Sequence, residues 1–155
     1  MKKIIRWVLI SGAVMFIGMQ LLRPDMTNPP VDAEMAADRF LLIEPEVGAL
    51  LRTACYDCHS NETRWPWYAH IAPASWLLAN DVKRGRSHLN FSMWGKYAEG
   101  RRLLALEGIA EEVGEGSMPL AQYLLLHPEA RLDSAARHQI VDWAHRESDR
   151  LAGAE

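Results

Sequence analysis

The sequence is short of residues that several classes of protein require. Its 155 residues include only two cysteines, Cys55 and Cys58, so a disulfide-rich scaffold is excluded. Basic residues are not in surplus either, because 17 Lys and Arg stand against 20 Asp and Glu. An acidic chain with no basic stripe is a poor candidate for binding nucleic acid. The composition, with 49% hydrophobic and 24% charged residues, is typical of one globular domain.

The N-terminus has the pattern of a signal-anchor. Three basic residues, Lys2, Lys3 and Arg6, precede an uncharged run over residues 7–22, and no small-residue cleavage site follows the run. This pattern favours an anchor that is retained over a signal peptide that is removed. We therefore predict a transmembrane helix within residues 1–23 and a single-pass location in the inner membrane. The acidic domain is then expected in the periplasm, if the source is bacterial.

The rest of the chain is predicted to be helical. Residues 24–34 are rich in proline and predict a linker, and residues 35–152 form the predicted folded domain. Apolar residues in this domain recur at helical spacing, with no sustained alternation that would indicate a sheet. The fold class is therefore all-α. Two irregular stretches, residues 59–72 and 107–120, are of the length that wraps a ligand in a small domain.

The two cysteines belong to a C-x-x-C-H motif, Cys55-Tyr56-Asp57-Cys58-His59. On a helical turn, residues three and four positions apart share one face, so both thiols and the imidazole point the same way. Two thiols with this separation can add to the two vinyl groups of haem, and the adjacent imidazole can bind the iron. The motif therefore predicts one covalently attached haem c, with Cys55 and Cys58 as attachment sites and His59 as an iron ligand.

Three other interpretations of the same motif are open. A zinc knuckle would need a fourth ligand such as His70 or His88. A thioredoxin-like redox pair expects a βαβ context, and a plain disulfide expects an oxidising compartment. The predicted export of the domain favours haem over these three, because c-type haem is attached where free thiols and zinc knuckles are uncommon.

The region around the motif contains further distinctive residues. They are Cys55 through Tyr68, Ile71-Ala72-Pro73, Gly85-Arg86, Leu89-Asn90-Phe91-Ser92, Trp94, Met118-Pro119, Ile140 and Trp143. With these residues the chain resembles, over roughly residues 35–150, the haem-binding domain family of short, membrane-anchored bacterial proteins with one C-x-x-C-H. The resemblance implies covalent haem binding and a fold similar to class I cytochrome c.

A second iron ligand is predicted late in the chain, at Met118. A haem motif followed by a later Met-Pro is the order found in class I cytochrome c, which this chain resembles. Pro119 favours an extended conformation at Met118, and a thioether on such a loop is a plausible iron ligand. The rival ligands are Met93, His70, His88 and His127.

Other residues are predicted to surround the haem. Trp65, Trp67 and Trp76 are expected to line it and exclude water, which raises its reduction potential. The ring of His59 needs an acceptor for its second nitrogen, and a carbonyl near Ala72 or Pro73 is one candidate. The alternative for Pro73 is that it only begins a helix.

The predicted function is that of a membrane-anchored monohaem electron carrier without a substrate of its own. Iron with His59 and Met118 as ligands has no open position, which argues against catalysis. The alternative is a haem-based sensor or a peroxidase-like enzyme in which the distal ligand is absent or displaceable. The expected partner is a redox protein, and the acidic surplus hints that it presents a basic face.

Overall fold

The computed structural model describes residues 1–153, and all regular structure within that range is helical. The prediction of an all-α protein is therefore confirmed. Five short 3-10 helices connect the seven α-helices. The α-helices are α1 (Lys2–Met19), α2 (Pro45–Ala54), α3 (Tyr56–His59), α4 (Ala74–His88), α5 (Glu99–Gly114), α6 (Ala121–Leu124) and α7 (Ser134–Ala152).

The hydrophobic core lies mainly between α5 and α7, which pack along much of their lengths. Asp133 begins α7 by accepting a hydrogen bond from the Ala136 backbone at 2.8 Å, as an N-cap residue should. Pro45 occupies the first turn of α2, where its missing N–H costs nothing. Helix α2 packs on α7 and continues into α3. The buried core residues of the two long helices are Leu106, Ile109, Ala110, Val113, Ile140, Trp143 and Ala144.

The prediction of a membrane-spanning N-terminus is wrong. Helix α1 has 18 residues and ends at Met19, and its first turns contain Lys2, Lys3 and Arg6. The uncharged part of the helix is therefore shorter than the hydrocarbon core of a bilayer, about 30 Å. Within residues 1–153 no helix has the length and apolar character that a membrane span requires. This finding overturns both the predicted transmembrane helix and the single-pass inner-membrane location.

The chain after α1 lies against the domain. Gln20 pairs with the Ala72 backbone, donating to its carbonyl at 3.3 Å and accepting from its N–H at 2.9 Å. The indole N–H of Trp76 donates to the Leu22 carbonyl at 2.6 Å. Further along, Arg86 donates to the Asn28 side chain at 2.7 Å. These contacts fix the end of α1 and the following residues beside α4.

The two predicted irregular stretches have different outcomes. Residues 60–66 are irregular, as predicted, and lead into a 3-10 helix at Trp67–His70. The stretch 107–120 is not a loop over its first half, because α5 continues to Gly114. Within the stretch 107–120, only the residues after Gly114 are irregular, and Met118 lies among them.

Candidate functional site

The C-x-x-C-H motif forms a single helical turn at the end of α2. The backbone N–H groups of Cys58 and His59 donate to the Cys55 carbonyl at 3.1 and 2.9 Å. Tyr56 stacks on Phe91 with ring centroids 5.0 Å apart and nearly parallel planes, which attaches the turn to the core. The turn therefore holds both thiols and the imidazole on one short segment, as the spacing predicts.

His59 is oriented by a backbone carbonyl. Its Nδ1 lies 3.2 Å from the carbonyl oxygen of Leu89, which can only accept, so Nδ1 carries the proton. Burial lowers the pKa of His59, and the hydrogen bond to Leu89 offsets part of this effect. The imidazole is therefore neutral, with the lone pair on Nε2. That tautomer is the one that binds iron.

The predicted acceptor for His59 is wrong. The Ala72 carbonyl instead accepts from Gln20, and Pro73 lies at the start of α4. Helix α4 ends at His88, and the acceptor for His59 is the carbonyl of the next residue, Leu89. Leu89 belongs to the stretch that carries the family resemblance, and this was the one signal in the sequence that could have identified it.

A buried amide network fixes the spacing between the motif and the segment that follows Leu89. The Asn90 side chain donates to the Asn61 side chain at 2.9 Å, and the Asn61 backbone donates to the Ser92 hydroxyl at 3.0 Å. All three residues are buried. A buried polar network of this kind is stable only when its members are satisfied, so it holds the two segments in one register.

Both cysteines are free thiols in this structure. Burial raises the pKa of each thiol to about 12, with Cys58 adding to the effect on Cys55, and Asp57 to that on Cys58. A thiol–disulfide redox pair needs the opposite, a pKa lowered toward neutrality. The chemistry of these cysteines therefore disfavours a thioredoxin-like role.

Gly85 brings α4 into contact with the motif. A Cβ atom at this position would lie 2.6 Å from the Cys58 carbonyl oxygen and 3.2 Å from the Cys58 Cβ. Only a glycine permits the backbones of α3 and α4 to approach this closely. The approach brings the end of α4, and with it Leu89, within reach of His59.

Met118 lies in the irregular segment between α5 and α6. It is partly buried and packs against the hydrophobic core, as Cys55 also does. Its backbone N–H donates to the Glu112 carbonyl at 3.0 Å, which fixes the start of the segment.

The rival ligands differ from Met118 in their surroundings. Both ring nitrogens of His127 are engaged, Nε2 with the Tyr68 hydroxyl at 2.7 Å and Nδ1 with Glu129 at 3.0 Å. His70 and His88 are exposed, and Met93 lies inside a 3-10 helix, Phe91–Lys96. The nitrogens of His127 are therefore committed to other partners and two histidines are exposed, which leaves Met118 as the candidate, with Met93 as its remaining rival.

The three predicted haem-lining tryptophans have different environments. The indole nitrogen of Trp65 is buried and has no hydrogen-bond partner within residues 1–153. Trp67 is 75% exposed, and the indole of Trp76 is bonded to the Leu22 carbonyl. A buried donor without an acceptor is costly, so Trp65 is the one of the three that an additional acceptor would satisfy. The haem-lining role of all three residues remains a prediction.

Sequence reasoning missed a group of polar contacts on the motif. The Tyr123 hydroxyl donates to Asp57 Oδ2 at 2.9 Å, and the Tyr123 ring stacks on His127 at 4.1 Å between centroids. His127 in turn contacts Tyr68. We call these four residues the Tyr123 cluster. No pattern in the sequence marks it, because its members come from three separate segments.

The donor set fits a haem. Haem iron can be held by a neutral imidazole and by a thioether, and covalent attachment of the ring would use two thiols on the same turn. His59, Cys55, Cys58 and Met118 supply these groups. Within the described residues, no three His, Cys, Asp or Glu side chains converge in the arrangement that a metal ion held by protein alone requires.

Comparison with known proteins gives one match. The chain from residue 14 to residue 146 matches the family described as haem-binding domain. No curated protein and no solved structure matches the chain, and the likeness to class I cytochrome c remains an expectation. The matched range covers most of the chain and contains the motif, Leu89 and Met118. The chain therefore belongs to the haem-binding domain family.

Proposed function

We propose that this haem-binding protein attaches one haem covalently through Cys55 and Cys58 and carries single electrons to or from a partner protein. His59 and Met118 would be the protein ligands of the iron. When bound, the haem supplies the reversible one-electron chemistry of its iron. The polypeptide holds the ligands, limits water access and sets the potential.

The observation that carries the proposal is the orientation of His59. Its Nδ1 proton is committed to the Leu89 carbonyl at 3.2 Å, and its Nε2 lone pair is free on a turn that also carries two thiols. A hydrogen bond to the second ring nitrogen fixes the tautomer and raises the basicity of the ligating nitrogen.

Met118 supports electron carriage rather than catalysis. If a thioether and an imidazole both held the iron, they would leave it no site for a substrate. A soft thioether favours ferrous iron and raises the reduction potential. The chain has 20 acidic and 17 basic residues, and this acidic surplus favours a partner that presents a basic face.

Mass analysis tests the covalent attachment. Protein made in a host with c-type maturation is denatured, extracted with acid and acetone, and weighed. We expect the mass of the polypeptide plus one haem, and a retained Soret band. A mass equal to the bare polypeptide would overturn the proposal.

Single and double cysteine variants provide the matched series. Cys55→Ala and Cys58→Ala should each retain at most one thioether and give less holoprotein, and the double variant should release all haem on extraction. Electron carriage predicts a reversible one-electron transition in the native protein and no peroxide turnover. Rapid binding of peroxide or carbon monoxide by native protein would instead favour the sensor or peroxidase interpretation.

A further inference from the structure

The segment after Met118 is buried at Pro119 but exposed just after the end of α6. Helix α6 has only four residues, and the side chains of Leu125 and Leu126, which follow it, are 80% and 60% exposed. Exposed leucines contribute little hydrophobic stabilisation. Two polar interactions help to hold this segment in place.

The first of these interactions joins the segment to the haem motif. Tyr123, on α6, donates to Asp57 at 2.9 Å. Asp57 is on α3 and lies between Cys55 and Cys58 in the sequence. Asp57 is itself held by the Arg64 backbone N–H at 3.1 Å and the Arg64 guanidinium at 3.3 Å. The Asp57 carboxylate that accepts from Tyr123 is therefore also held by Arg64.

The second interaction involves His127. Its ring lies 4.1 Å from the Tyr123 ring at an interplanar angle of 10°, and its Nε2 contacts the Tyr68 hydroxyl at 2.7 Å. Burial, with the nearby Asp57 carboxylate, raises the pKa of Tyr123, so its phenol keeps the proton that it donates. Two contacts thus join the segment to separate parts of the domain.

We propose that the Tyr123 cluster positions Met118 by fastening the segment that follows it to the haem motif, and that breaking the cluster opens the sixth iron position to small ligands. The inference rests on the proposed role of Met118 as iron ligand. Asp57, Tyr68, Tyr123 and His127 are positioning residues in this scheme, because none of them binds the iron.

Cyanide binding to the ferric holoprotein tests the proposal. Tyr123→Phe removes one hydroxyl and leaves the stacked ring. A hydrogen bond to a charged group is strong enough that its loss should raise the rate of cyanide binding about 10- to 100-fold. The haem mass and the Soret band should stay unchanged, while the weak methionine-to-iron band at the red edge of the visible spectrum should lose intensity.

Two further variants sharpen the result. Glu44→Gln is the matched control, because it weakens another hydrogen bond to a charged group, the one that Arg146 on α7 donates to Glu44 at 2.7 Å outside the Tyr123 cluster, so it should leave the rate within twofold of native. The double variant Asp57→Ala/Tyr123→Phe should be no faster than the faster single variant, as expected for one shared contact. If Tyr123→Phe holoprotein does not accumulate, Tyr68→Phe, which breaks the contact with His127, gives the same measurement.

The outcomes separate this inference from the proposed function. A native cyanide rate in Tyr123→Phe, together with loss of the red-edge band in Met118→Ala, would overturn the positioning role and leave Met118 as ligand. A native protein that lacks the band and binds cyanide as fast as Met118→Ala would overturn both. An equal acceleration by Glu44→Gln would also overturn the inference, because the effect would not be specific to the cluster.

Discussion

At the scale of single residues, His59 is oriented by a group 30 positions away in the chain, the carbonyl of Leu89. Because the acceptor is a backbone atom, a change of the Leu89 side chain leaves it in place. What must be kept is the path of the backbone, which depends on the buried contact between Asn61 and Asn90. The amide pair is therefore as much a part of the site as the imidazole.

The raised pKa of the thiols predicts slow alkylation of folded, haem-free protein. A rise from the ordinary 9.0 to about 12 lowers the thiolate fraction at pH 8 roughly 1,000-fold, because each pKa unit is a factor of ten. Iodoacetamide labelling of Cys55 and Cys58, followed by mass spectrometry, measures the rate. The same protein in urea is the control and should react at the ordinary rate, whereas equal rates in both conditions would contradict the prediction.

Met118→Ala tests the second iron ligand. The variant should lose the methionine-to-iron band, have a lower reduction potential and bind cyanide readily, because the soft ligand that favours ferrous iron is gone. Optical spectra and redox titration measure these changes. Met93→Ala is the matched control, since Met93 is also partly buried but lies in the 3-10 helix Phe91–Lys96, and it should change neither quantity. An unchanged spectrum in Met118→Ala would show that the ligand lies elsewhere.

The sequence predicts those parts of the site that are contiguous. Cys55, Cys58 and His59 lie on one turn because their spacing requires it once the turn is helical. The Leu89 acceptor and the Tyr123–Asp57 contact could not be predicted in this way. Both depend on how distant segments fold back on the motif, and no local period or propensity encodes that approach.

At the scale of the elements, α5 shows how burial outweighs propensity. Residues 107–120 were predicted to be irregular, and they include Gly108 and Gly114, each of which costs a helix about 1 kcal/mol relative to alanine. The helix nevertheless runs through them to Gly114. The burial of Leu106, Ile109 and Val113 against α7 compensates for this cost.

Gly108→Ala should therefore stabilise the protein. A Cβ at this position meets no atom within 4 Å, and the residue is in the interior of α5. The expected gain in the free energy of unfolding is about 0.5–1 kcal/mol. Urea denaturation of the holoprotein, followed by far-UV circular dichroism, measures it. A loss of stability would show that space around α5 is tighter than the structure indicates.

Gly85→Ala makes the same substitution as Gly108→Ala but should destabilise the protein. Its Cβ would lie 2.6 Å from the Cys58 carbonyl oxygen, a backbone atom that cannot move aside without shifting the motif. We expect a loss of roughly 1–3 kcal/mol, the usual cost of overpacking, and a lower yield of holoprotein. The same denaturation experiment compares it with Gly108→Ala, and similar stabilities for the two variants would contradict the proposed close approach of α3 and α4.

At the scale of the whole molecule, helical periodicity predicted the fold class correctly. The same reasoning was wrong about the N-terminus, because it counted an uncharged run beyond the point where α1 ends and gave too little weight to Lys2, Lys3 and Arg6. It also could not predict that Arg86 would bind both the Asn28 side chain and the Ser60 carbonyl, at 2.7 and 2.8 Å. A long side chain with several donors connects whichever segments the fold brings near it.

The pairing of Gln20 with Ala72, and of Leu22 with Trp76, determines how α1 projects from the domain. A free linker of the length of residues 24–34 would let its ends vary in separation on a scale of about 18 Å. With its end bonded beside α4, α1 instead has a single direction relative to His59. Any molecule that binds α1 therefore meets the haem motif at one distance and one angle. If the protein carries electrons as proposed, the rate of transfer to such a molecule would be set by a fixed separation, and not by an average over many.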